Sequence, residues 1–89
     1  MRAIVTVIGK DRVGIIAGVC SILAENGVNI LDISQTVMRE YFTMIMLVDT
    51  AGSATSFAEL SKALETRGEE QSLSIRIQRE DIFNAMHRI

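Results

Sequence analysis

The chain has 89 residues, 48% of them hydrophobic and 22% charged, a formal net charge of −2 and one cysteine. That length holds one domain, the lone cysteine excludes an internal disulfide or a multi-cysteine metal cluster, and the acidic balance argues against a general nucleic-acid binder, which needs a basic face to displace counterions. No apolar run approaches the roughly 18 residues that cross a bilayer, and the opening "MRAIVTVIGKD" turns polar too early for a secretory leader, so a cytoplasmic location is expected.

A β-branched run, Ala3 to Ile8, predicts a first strand with apolar residues on both faces: Ile4 and Ile8 on one, Ala3, Val5 and Val7 on the other. A helix is expected to begin near Asp11 to Val13 and to end at Glu25 or Asn26. Ile16, Val19, Cys20 and Leu23 recur at helical spacing, and Gly27 is a natural stop. Between Val13 and Ala24 there is no charge, and the less apolar side is small: Gly14, Ala17, Gly18 and Ser21. That side suits close packing against a neighbouring helix, in the same chain or another.

Asn29 to Met38 reads as a second strand, interrupted by Asp32, Ser34, Gln35 and Thr36. Arg39 to Tyr41 read as a turn, and Phe42 to Asp49 as a third strand, apolar on both faces. Ser56 and Glu59 have capping-box spacing ahead of a second helix. Phe57, Leu60 and Leu64 form its apolar stripe, and Gly68 is expected to end it. Leu73 to Arg79 then alternate, with Leu73, Ile75 and Ile77 inward and Ser74, Arg76 and Gln78 outward, as in a strand with one wet face.

The order β-α-β-β-α-β predicts an α+β, ferredoxin-like sandwich: a four-stranded antiparallel sheet with two helices on one face. The first and third strands should be central. Their apolar residues on both sides imply that the face away from the helices is covered. Ile82, Phe83, Met86 and Ile89 share one helical stripe, so a short C-terminal helix over residues 81–89 is expected to pack on the domain or on its partner. A domain of this size buries only about 60–65% of its unfolded surface. The apolar surplus therefore points to an oligomer.

The junction "GKDRVGII" delivers the chain into a helix N-terminus, where free backbone N–H groups and the helix dipole favour an anion. Gly14 lets a ligand approach the backbone, Lys10 and Arg12 add positive potential, and Asp11 is the natural N-cap or the partner of an ammonium group. A zwitterion with its carboxylate on the Gly14 and Ile15 amides suits that chemistry. Plain helix capping by Asp11 and close packing at Gly14 explain the same residues without a ligand.

At these residues the sequence resembles the ACT domain, a small regulatory module that often binds amino acids. The resemblance runs through "GKDRVGIIAGVCSILAENGVNILDISQTV", "SQTVMREYFTMIMLVD" and "IFNAMHRI", with "DRVGI" and "GVNI" as its anchors. It is nearest to small stand-alone ACT proteins of bacteria and archaea, and to the ACT domains of the glycine-cleavage repressor and formyltetrahydrofolate deformylase. The resemblance implies one ACT-like domain over residues 1–80, a homodimer, and no catalysis or cofactor. It implies a ligand such as an amino acid at the subunit interface, held by Asp11, Arg12, Val13, Gly14 and Ile15 with Asn29 and Ile30. Two departures stand out. Val13 replaces the common proline, and Gly9 stands where serine-binding relatives carry histidine.

The alternative reading is a regulator that binds a metabolic enzyme or transcription factor and takes no small ligand. An enzyme is disfavoured. Arg12 and Asn29 meet the acylphosphatase groups only loosely, and no Ser-His, Cys-His or paired-carboxylate arrangement is present. One tyrosine and three phenylalanines do not supply an RNA-stacking sheet. Cys20 reads as a small core hydrophobe, and His87 cannot build a metal site alone.

Overall fold

A computed structural model describes residues 1–10 and 14–82 of the chain. Its elements are β1 (Arg2–Lys10), α1 (Ile15–Glu25), β2 (Asn29–Met38), β3 (Tyr41–Asp49), α2 (Phe57–Glu70) and β4 (Ser74–Arg79), with a helical turn opening over Glu80 to Ile82. Together they form the expected ferredoxin-like sandwich. The four strands lie in the order β2-β3-β1-β4, each pair antiparallel.

Strand register sorts the side chains between two faces. On the helix side, Ala3, Val5 and Val7 stand opposite Val48, Met46 and Met44, and Val5 and Val7 also stand opposite Ile77 and Ile75. All are buried, and they close a core with Val19, Ile22 and Leu23 of α1 and Leu60 and Leu64 of α2. Cys20 packs against that core as a half-buried free thiol. On the reverse face Ile4 pairs with Leu47, Thr6 with Ile45 and Ile8 with Thr43. Ile8 and Ile45 remain 47% and 41% exposed there, although hydrophobic residues of that size favour burial.

The helix ends show where sequence spacing and structure part. α1 begins later than expected: its N-cap is Gly14, not Asp11. Gly14 has a left-handed φ of 88°, and its carbonyl accepts the first helical bond from the Gly18 N–H at 2.9 Å. At the other end Gly27 takes φ 73° and allows the Val28 N–H to reach the Leu23 carbonyl at 2.9 Å.

α2 opens on the expected N-cap, with the Glu59 N–H donating to Ser56 Oγ at 3.2 Å, while the Glu59 carboxylate accepts from the Ser56 hydroxyl at 3.1 Å rather than from its backbone N–H as in a full capping box. It does not end at Gly68 but runs through it to Glu70. Ser72, with φ 57°, supplies the left-handed turn that follows. Gly68 is glycine for a different reason: a Cβ there would lie 2.8 Å from the Leu73 carbonyl, which β4 brings against the helix.

Asp49 closes the far end of β3. Its Oδ1 accepts from the Ala51 N–H at 2.9 Å and lies 3.5 Å from the N-terminal ammonium. The Ala51 bond, and after it the ammonium, hold its carboxyl below the ordinary value of 3.8. A lowered carboxyl stabilises the fold above its unfolded value, and that contribution is lost as pH falls through the folded value. Asp49→Asn should therefore flatten the loss of stability on acidification below 3.8, read as urea midpoint against pH.

A Cβ at Gly27 would lie 2.6 Å from the Gly52 carbonyl oxygen, so substitution there meets both backbone strain and a clash with main chain. Gly27→Ala should cost about 2–4 kcal/mol in urea unfolding.

Candidate functional site

Of the residues that the sequence nominates, Gly14, Ile15, Asn29 and Ile30 are placed by the structure, Ile15 as the first residue of α1. Asp11, Arg12 and Val13 lie outside the described residues. Gly14 is exposed, and a Cβ built on it meets nothing within 4 Å. Its φ, not crowding, demands glycine. Among the described residues the helix behind it carries no side-chain cap, and its first turn holds no acidic residue. The leading N–H groups of α1 therefore have no intrahelical partner and keep the partial positive charge of the helix end.

Asn29 and Ile30 open β2 at the other end of the sheet. Asn29 stands opposite Asp49, which also faces Arg2, the first residue of β1. Lys10, the last residue of β1, shares Tyr41 with Met38, the last of β2. β1 and β2 thus run parallel on either side of β3. The eight steps from Arg2 to Lys10 span about 27 Å at about 3.4 Å each. Within one chain, the two halves of the nominated site are held at opposite ends of the sheet.

The two nominated residues of β2 also differ in face. Ile30 stands opposite Val48 on the helix side and is half-buried, whereas Asn29 is exposed beside Asp49. A bulge then falls between Ile30 and Asp32, leaving Leu31 without a register partner. Beyond it, Ile33 to Met38 pair regularly with β3 and form an open edge. This strand contains no lysine, arginine or proline, and Leu31, Ile33, Val37 and Met38 are exposed apolar residues along it. An edge such as Ile33 to Met38, beyond Asp32 and without a charged residue, accepts a further strand. The edge position of this strand follows from the element order, which makes the first and third strands central; the exposure of its apolar residues is what the structure adds.

Gly9 has a structural explanation. It faces the helix side opposite Phe42, and a Cβ there would overlap Leu73 Cδ2. Leu73 thus fills the volume into which a side chain at position 9 would have to enter. Grooves among the described residues lie elsewhere. One, of about 530 Å³, runs between the C-terminal half of α1 and α2, beside Ile22, Asn26 and Ala63. The other, of about 210 Å³, lies between α2 and β4. Neither is lined by a nominated site residue. Among the described residues no His, Cys, Asp and Glu group is placed to hold a metal ion, and no helix is long and apolar enough to cross a membrane.

Comparison with known proteins gives a consistent result. The family model described as the ACT domain matches residues 2–78. A UPF0237 protein of Clostridium acetobutylicum is 61% identical over 89 residues, the full length of both chains. Among solved structures, an ACT domain protein from Streptococcus pneumoniae superposes with a TM-score of 0.81 at 47% identity, covering 93% of each chain. A formyltetrahydrofolate deformylase from Pseudomonas syringae matches with a TM-score of 0.75 at 28% identity, over 88% of this chain and 27% of that one.

The contact between Gly9 and Leu73 can be tested by a double-mutant cycle. Gly9→Ala should cost about 1–3 kcal/mol by overpacking, and Leu73→Ala about 2–5 kcal/mol by leaving a cavity. In urea unfolding the double variant should lose less than the sum of the two, because the added methyl enters the vacated space.

Proposed function

The chain belongs to the ACT-domain family, and from that premise we propose that it is a non-catalytic regulatory module, a homodimer that takes a small zwitterion such as an amino acid at its subunit interface. The observation that carries this reading is the separation of the two half-sites. A second copy added antiparallel along Ile33 to Met38 brings its own β2 in the reverse direction. With the twofold axis near Gln35 and Thr36, the partner's Asn29 falls beyond Met38, at the end of the sheet where β1 finishes and α1 starts. One chain's Gly14 and the other's Asn29 and Ile30 then meet twice per dimer.

The chemistry of the two halves is complementary. The leading amides of α1, which have no partner within the helix, suit a carboxylate. Asp11 and Arg12, on the connection into α1, add one group for an ammonium and one for an anion. The Asn29 amide can both donate and accept. The open, small-residue side of α1, with Gly14, Ala17 and Ser21 exposed, leaves room for a partner helix beside the added strand.

A second reading follows from Leu73. It occupies the volume beneath Gly9, so the position where serine-binding relatives carry histidine cannot contribute a side chain without repacking. A pocket lacking that group favours a partner-binding regulator whose dimer docks on a metabolic enzyme or transcription factor.

Thermal unfolding against individual amino acids separates the readings. A ligand at a hundredfold its Kd adds about 2.7 kcal/mol, which raises Tm by about 10 °C or more in a domain of this length. The double variant Ile33→Lys with Val37→Lys, which places like charges on both sides of the interface, should sediment as a folded monomer and lose the shift. If no amino acid shifts the wild-type protein, the small-ligand reading fails. If the double variant remains a dimer, the β2 edge is not the interface.

A further inference from the structure

We propose that the free edge of β4 is a docking site for an extended segment of another protein, one that carries basic side chains toward α2 and acidic side chains toward the reverse face of the sheet. The inference rests neither on the ligand nor on the β2 edge. It concerns the opposite edge of the sheet, which offers the same backbone groups but is charged where β2 is not.

β4 ends the strand order, so its outer side has no neighbouring strand. In an antiparallel pair every second residue turns its N–H and C=O away from the partner strand, so β4 presents such groups on the side away from β1. The groove of about 210 Å³ lies along this edge. Ser74, Ile75 and Arg76 line it in unbroken succession, although Ile75 turns toward the helices and its two neighbours toward the reverse face. Residues of both faces line it together only along the backbone edge that they share. The other wall is α2, with Glu65 and Glu69 one helical turn apart. Gly68 lets the start of β4 lie close against that helix. A groove between an edge strand and a helix accepts an extended segment as a further strand, in which main-chain hydrogen bonds give affinity and alternate side chains give specificity.

Charge decides which strand fits. Glu65, Glu69 and Arg76 are exposed, and none of them forms an ion pair among the described residues. Glu65 and Glu69 stand four residues apart on one helix, where like charges repel. A second copy added antiparallel to β4 would bring its own two carboxylates against these on the helix side. It would bring its own Arg76 toward this one on the reverse side. Like charges so placed disfavour that pairing. The β2 edge differs, because Ile33 to Met38 carry no charge and a second copy meets no such repulsion there. A strand with lysine or arginine on the side chains that pass beneath α2 relieves the repulsion between Glu65 and Glu69. Aspartate or glutamate on the alternate side chains meets Arg76. The charges that deter an identical edge thus select a different one.

Titration of the isotope-labelled full-length protein with a short capped peptide of alternating lysine and glutamate tests the site. Saturable amide shifts are expected along Ser74 to Arg79 and in α2 around Glu65 and Glu69. A peptide of the same composition, with its lysines and glutamates in separate blocks, should bind about tenfold more weakly or worse, as should the alternating peptide to the double variant Glu65→Lys with Glu69→Lys. Both positions are exposed, so the variant should keep the wild-type spectrum elsewhere. Absence of saturable shifts in β4, shifts confined to Ile33 to Met38, or equal binding of the two peptides overturns the proposal, and so does unchanged binding to the variant. Slow exchange of every β4 amide in the protein without peptide also overturns it, because a second copy or another part of the chain then already occupies the edge.

Discussion

The arrangement of β1 and β2 as parallel strands on either side of β3 is the constraint on which the rest depends. Each βα turn in this fold leaves the sheet at one end and returns at the other, because a helix must carry the chain back before a parallel strand can start. α1 therefore begins at the Lys10 end and delivers Asn29 to the Arg2 end. No side-chain rearrangement can bring Gly14 and Asn29 of one chain together, because the 11 residues of α1, about 16 Å of helix, separate them. A function that uses both requires a second copy, and antiparallel addition at β2 is the operation that reverses the direction of the missing strand.

The same topology divides the apolar surplus into two surfaces with different chemistry. The β2 edge offers backbone donors and acceptors beside exposed Ile33 and Val37, a surface that another strand satisfies. The reverse face presents apolar Ile4, Ile8, Ile45 and Leu47 among the hydroxyls of Thr6 and Thr43, so its side chains, not its backbone, decide what it contacts. Assigning the β2 edge to a second copy gives that surface an occupant whose bonding it can meet. It also lets a chain this small bury more apolar area than one core supplies.

Much of this was legible in the sequence, because local patterns record local geometry. Leu73 to Arg79 alternate in the structure as they do in the letters, and Ser56 caps the Glu59 N–H as their spacing implies. The family resemblance likewise matched over nearly the whole domain. What was not legible depends on contacts between distant segments. Gly68 looks like a helix stop, yet it is glycine because the Leu73 carbonyl approaches it, and Ser72 makes the left-handed turn instead. Asp11 has the side chain of an N-cap, yet the backbone of Gly14 starts the helix. Gly9 reads as a missing ligand group until Leu73 is seen to fill its place. The bulge at Leu31 leaves no mark in composition, and it shifts the faces of everything before Asp32.

Amide hydrogen exchange along β2 tests the central claim most directly. In an edge strand, alternate N–H groups point away from the sheet. In an added-strand dimer those groups are bonded to the second copy. The account predicts that all amides from Ile33 to Met38 are protected to a degree comparable with those of Phe42 to Leu47 in β3. An alternating pattern, with every second β2 amide exchanging as fast as in an exposed loop, would contradict it.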